Sequence, residues 1–104
     1  VDDFVRGTIL VLTRPEALNR TFNITAEGAW SINDLAQIVA DLVPGTVIEH
    51  GPPDPLRPRR GAMDINRARK LLGFSPRFTL SQGMTRYANW YGDFVTANGQ
   101  QRAK

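Results

Sequence analysis

A chain of 104 residues, 41% hydrophobic and 22% charged, has room for one domain and an ordinary globular composition. With no cysteine in it, disulfides and thiolate metal sites are excluded, and no apolar run nears the ~18 residues that mark a membrane span. The net charge of +3 comes from 13 basic and 10 acidic residues mixed along the chain, which argues against the uniform basic face of a nucleic-acid binder.

The chain opens at Val1-Asp2-Asp3 with neither Met nor a signal-peptide pattern. That start suggests processing or an excised piece, and the cytoplasm is the expected setting. Helix is expected over Phe4 to Thr13, with Asp2 or Asp3 capping its first turn and Phe4, Val5, Ile9 and Leu12 forming its apolar face. Arg14-Pro15-Glu16 should stop it. Thr21 to Thr25 alternates polar and apolar side chains and is rich in β-branched and aromatic types, so it reads as a short strand. A turn follows over Ala26 to Ala29.

The clearest boundary comes next. Ser31 is an N-cap with Asp34 at the third helical position, and Trp30 and Leu35 have the spacing of a hydrophobic staple. Ile32, Leu35, Ile38, Val39 and Leu42 then recur at helical spacing until Pro44-Gly45. Thr46 to His50 reads as a second strand. Strand, helix and strand with short connections predict a βαβ unit, and hence a small two-stranded parallel sheet.

Gly51 to Pro58 carries four prolines and should run as an irregular surface loop into Arg59-Arg60. Asp64 should cap a short helix through Ala68, Leu71 and Leu72, closed by Gly73. A last helix should start at Thr79, boxed by Gln82, with Leu80, Met84, Tyr87, Tyr91 and Phe94 on one face beside Trp90. Past Val95 the sequence turns polar, and 98–104 should be a flexible tail after a lobe spanning 1–97.

Little of this carries catalytic chemistry. His50 is the single histidine, which leaves no His-based metal site and no Cys–His nucleophile. No Gly-x-Ser-x-Gly turn offers a serine nucleophile, and glycines occur singly, without a dinucleotide or phosphate-cradling fingerprint. Asp2, Asp3, Asp34 and Asp64 all stand where helix starts favour negative charge. Asn19-Arg20-Thr21 and Asn23-Ile24-Thr25 fit the glycosylation pattern by chance, given no secretory signal. Arg57-Pro58-Arg59-Arg60 stands apart. Three guanidiniums in four residues repel one another, and they gain most when an anion comes between them. Their forks match phosphate oxygens. No aromatic residues interleave them for base stacking, which weakens a nucleic-acid reading.

The order of motifs is informative in a way that each motif is not. Val1-Asp2-Asp3-Phe4-Val5, Thr21-Phe22-Asn23-Ile24 and Ser31-Ile32-Asn33-Asp34-Leu35 are followed by Arg59-Arg60 four residues before Asp64-Ile65-Asn66-Arg67-Ala68-Arg69-Lys70-Leu71-Leu72-Gly73-Phe74-Ser75-Pro76. Leu80-Ser81-Gln82-Gly83-Met84 and Trp90-Tyr91 close the set. Over roughly residues 1–94 this resembles the C-terminal part of the NAD-dependent epimerase/dehydratase family, the extended short-chain dehydrogenases. The resemblance implies a substrate-binding lobe that holds the nucleotide part of a nucleotide-sugar, with Arg59 and Arg60 on its diphosphate. It also implies a separate Rossmann lobe ahead of Val1, carrying NAD(P) and a Tyr-x-x-x-Lys pair. Neither Tyr87 nor Tyr91 has a Lys four residues on. Two departures stand out: Asp54-Pro55-Leu56-Arg57 replaces the family's frequent Arg-Pro-Gly-Asp, and Thr25 stands where Gly is common.

The expectation is therefore a helix-rich α/β lobe with the Rossmann lobe absent, binding substrate through Arg57, Arg59 and Arg60. It has no catalytic residue, cofactor or metal of its own, and its parent would be an isomerase or lyase. A severed lobe exposes apolar surface, so self-association through the first helix and the face around Trp90 is expected. The alternatives are a free-standing protein-interaction module and a weak nucleic-acid-binding domain.

Overall fold

Four α-helices are joined by extended segments and one short turn of 3₁₀ helix at Pro15–Ala17. The helices are α1 (Asp2–Thr13), α2 (Ile32–Leu42), α3 (Asn66–Leu72) and α4 (Leu80–Arg102). This is a computed structural model that describes residues 1–102. The chain divides into two units: Val1–Trp30 with Pro53–Thr79, and Ser31–Pro52 with the segment from Leu80 onward.

The first unit holds the core. Ala17, Ile65, Ala68, Leu72 and Phe74 are buried, with Leu10, Val11, Phe22 and Ile24 packed against them. The sequence of α3 explains its place there. Ala68 and Leu72 lie one turn apart and share the inner face, and Gly73 ends the helix with φ of 67°. That left-handed turn is cheap only for glycine. It lets the Phe74 amide reach back to the Ala68 carbonyl at 3.3 Å and drives the Phe74 ring fully into the core. Asp64 caps the start of α3 as expected in kind but from one residue further out, its carboxylate accepting from the Asn66 amide at 2.8 Å. Ile65 is the N-cap residue.

Helix α1 corrects the sequence reading at its cap. Val1 is its N-cap with no side-chain cap, so Asp3 is not a capping residue. Its carboxylate instead accepts from Arg6 Nη2 at 2.7 Å and from the amides of Arg77 and Phe78 at 3.0 Å. The expected apolar face is also the outer one: Phe4, Val5, Ile9 and Leu12 are 48–80% exposed. The inward face is Gly7, Leu10 and Val11. A helix apolar on both sides has no face that periodicity alone can assign to the core. Gly7 resolves the choice, because it is the position at which the backbone can approach Ile24 and Phe74. A Cβ there would lie 2.5 Å from Ile24 Cγ2 and 3.3 Å from Phe74 Cε2. Gly7→Ala gains roughly 1 kcal/mol of helix propensity, but overpacking typically costs about 1–3 kcal/mol. We expect a net loss of stability in urea unfolding; a variant more stable than the parent would contradict this packing.

The two-stranded parallel sheet is not formed. Among the described residues the chain is all helical, with no strand. The alternation that suggested a strand at Thr21–Thr25 is real, since Phe22 and Ile24 turn inward while Thr21 and Asn23 face out. It serves a different purpose. The segment is docked on α3 by side chains, with Asn23 Nδ2 donating to the Asp64 carbonyl at 3.0 Å and Arg67 Nη1 to the Thr21 carbonyl at 3.1 Å. Composition marks a segment as fit for a pleated, half-buried surface. A strand also needs a second backbone alongside to complete the ladder, and two-stranded pairs are marginal without further support. At Thr46–His50, Thr46 bonds back to the Val43 carbonyl through both its amide and its hydroxyl. Val47 there is 79% exposed.

In the second unit α2 packs on α4. The capping box at its start is as read: the Asp34 amide donates to Ser31 Oγ at 3.0 Å, and the Ser31 amide donates to Asp34 Oδ2 at 2.8 Å. No residue of α2 is fully buried. On α4 the part-buried residues are Leu80, Met84, Thr85 and Ala88, and positions 89–99 are all exposed. The aromatic side chains Tyr87, Trp90, Tyr91 and Phe94 are 51–57% exposed. Of the segment read as a tail, 98–102 is helical, and 103–104 lie outside the described residues.

Candidate functional site

The loop from Gly51 to Asp64 is exposed throughout and has no regular structure beyond a tight turn at 54–57. Asp54 makes that turn. Its carboxylate accepts from the Leu56 amide at 2.9 Å and its carbonyl from the Arg57 amide at 3.2 Å. It is the only acidic residue among positions 51–63, and it is occupied with backbone. The side chains of Arg57, Arg59 and Arg60 have no hydrogen-bond or ion-pair partner among the described residues. Other arginines of this unit are committed to the fold: Arg6 to Asp3 and the Ser75 carbonyl, Arg67 to Thr21, and Arg69 to Glu27 at 2.8 Å. The three guanidiniums thus stand uncommitted on one proline-rich loop, and guanidinium forks of this kind match phosphate oxygens.

The loop delivers the chain into a cleft of about 340 Å³ lined by Thr21, Asn23, Asp64 and Arg67. Asn23 and Arg67 were not singled out by the sequence. Their side chains fasten the extended segment to α3, and the pairing of Asn23 with Asp64 spans 41 positions, so no local pattern could announce it.

No acid–base pair emerges among the described residues. The two carboxyls with shifted pKa values are both pushed down. At Asp3, burial acts to raise the pKa, but hydrogen bonds from Arg6 and from the Phe78 and Arg77 amides outweigh it and hold the carboxyl below its ordinary range. At Asp34 the Ser31 hydroxyl and amide do the same. Both are structural anions, unsuited to carrying a proton near neutrality. His50 is exposed at the end of its extended segment, and no cluster of potential metal ligands occurs among the described residues. No helix among them is long and apolar enough to cross a membrane. No family model matches the chain, and no match is found among solved structures.

Proposed function

We propose that the chain is a nucleotide-sugar-binding lobe of an NAD(P)-dependent epimerase or dehydratase, with Arg59 and Arg60, aided by Arg57, holding the substrate diphosphate. The observation that supports this reading is the set of three guanidiniums on one exposed loop that have no partner among the described residues, while the nearby Asp54 carboxylate accepts from the Leu56 amide. Diphosphate supplies the bidentate oxygens that such forks match. Anchoring the non-reacting end of a substrate positions the sugar for chemistry elsewhere. A nicotinamide cofactor does not fit the residues of this chain: glycine occurs singly, and no described helix is entered through a Gly-rich turn from a strand. No step assigned here passes through it, and the cytoplasm is the setting this reading implies.

The test is titration with a nucleoside diphosphate sugar, followed by amide chemical shifts. Shifts are expected across 57–64. Arg59→Ala or Arg60→Ala should each weaken binding by roughly 1.5–3 kcal/mol, about tenfold to a hundredfold. Arg→Lys should recover only part of this, because an ammonium lacks the planar fork. Unchanged affinity in both alanine variants would overturn the assignment. Loss of polynucleotide binding with a reduced salt slope would award the loop to nucleic acid instead.

A further inference from the structure

The cleft that follows the arginine loop is lined by side chains whose hydrogen-bonding capacity is only partly used. Asn23 donates through Nδ2 to the Asp64 carbonyl at 3.0 Å, which leaves its Oδ1 as an acceptor. Asp64 accepts the Asn66 amide at Oδ1, and its other carboxylate oxygen is uncommitted among the described residues. Arg67 uses only Nη1, on the Thr21 carbonyl at 3.1 Å, so Nη2 and Nε remain as donors. The Thr21 hydroxyl has no partner among the described residues. Asp64 and Arg67 form no ion pair there either.

These groups select among ligands. The carboxylate offsets the guanidinium, so an anion gains less here than on the arginine loop. Among the described residues no aromatic side chain lines the cleft, and a base has nothing to stack on. Hydroxyl groups do fit, because each can donate to a carboxylate or amide oxygen and accept from a guanidinium. A volume of about 340 Å³ lies at the lower end for small-molecule sites, the scale of a single sugar ring. We propose that the cleft takes the ribose of a nucleoside diphosphate, with Asp64 and the Asn23 amide oxygen accepting from its adjacent hydroxyls and Arg67 donating to them. A carboxylate that accepts from a ribose hydroxyl is the arrangement dinucleotide sites use. The proposal rests on the diphosphate reading, since phosphates held by Arg59 and Arg60 are what deliver the ring. Asp64 follows Arg60 by four residues, within the same unit of the fold.

Calorimetric titration of the full chain with uridine diphosphate and with 2′,3′-dideoxyuridine diphosphate tests it, since the two differ only in the ribose hydroxyls. The parent should bind the dideoxy compound about tenfold or more weakly, the loss expected for hydrogen bonds to charged groups. Asp64→Asn can still accept the Asn66 amide and keeps the backbone carbonyl that Asn23 holds. Its helical circular dichroism should therefore be unchanged while the two affinities draw together. Arg59→Ala should weaken both compounds equally and leave their ratio intact. Equal affinities in the parent overturn the ribose subsite without need of any variant; if Arg59→Ala still weakens both, the diphosphate reading survives that result. A preference that persists in Asp64→Asn overturns the assignment to this cleft. A preference lost in Asp64→Asn, with Arg59→Ala binding as the parent does, upholds the subsite and overturns the diphosphate reading. A parent that binds neither compound overturns both.

Discussion

Phe74→Ala should cost about 3–5 kcal/mol and unfold the unit built from Val1–Trp30 and Pro53–Thr79 rather than loosen it. The core of that unit is five buried residues, and Phe74 and Leu72 are its largest fully buried side chains. The ring closes over Gly7 from one side, and Arg6 lies over its face with the guanidinium carbon 5.4 Å from the centroid. Truncation leaves a cavity beside a helix that has no side chain at Gly7 to fill it, and it removes the cation–π contact, worth about 0.5–1 kcal/mol where partly exposed. Small domains have total stabilities of only about 5–15 kcal/mol. Thermal melting and hydrogen exchange should show protection lost at α1 and α3 together. A variant that melts within a few degrees of the parent would show that the core is not centred on Phe74.

The second large effect is expected at Asp3. One carboxylate there ties the start of α1 to the amides of Arg77 and Phe78, 74 and 75 positions away, and pairs with Arg6. Arg6 in turn donates to the Ser75 carbonyl at 2.7 Å. Asp3→Ala leaves two amides without their acceptor and Arg6 with the Ser75 carbonyl alone. Hydrogen bonds to a charged group are each worth about 1.5–3 kcal/mol, and neighbouring ones do not add fully, so a loss of about 2–4 kcal/mol near neutral pH is expected. The same clamp sets an acid limit. Because the folded-state pKa of Asp3 lies below its unfolded value, its contribution is complete above that unfolded value, near 3.9. It is lost as pH falls through the folded value. Stability curves of the parent and Asp3→Asn, measured by urea unfolding against pH, should therefore be well separated at pH 7 and converge in strong acid. Parallel curves across that range would show that the carboxylate's charge plays no part.

Local features of the sequence were legible because their causes are local. The capping box at Ser31 and Asp34, the stop at Pro44-Gly45, the left-handed Gly73 and the irregular run through four prolines each follow from steric or hydrogen-bonding preferences within a few residues. The three arginines of the candidate site were visible for the same reason, as a charge cluster within one short loop.

What tertiary structure decided is which surface each element presents, and to what. The alternation at Thr21–Thr25 specifies one apolar and one polar face. It does not specify whether a neighbouring strand or the start of α3 receives that face, and here Asp64 and Arg67 receive it. Helix α1 offered two apolar faces, and the choice fell to the side where a missing Cβ lets Ile24 and Phe74 approach. Asp3 is an anion in the first turn of α1, as the sequence indicated, but in place of capping the helix its carboxylate accepts from two amides far along the chain. Helical periodicity put Leu80, Met84, Tyr87, Tyr91 and Phe94 on one face of α4 with Trp90 beside them, whereas of these only Leu80 and Met84 are part-buried, together with Thr85 and Ala88. Sequence by itself determined where elements start, stop and carry charge, since those energies arise within a turn or two of the backbone. Only the folded chain decided which apolar face is buried, because that energy depends on the area and shape of a partner distant in sequence.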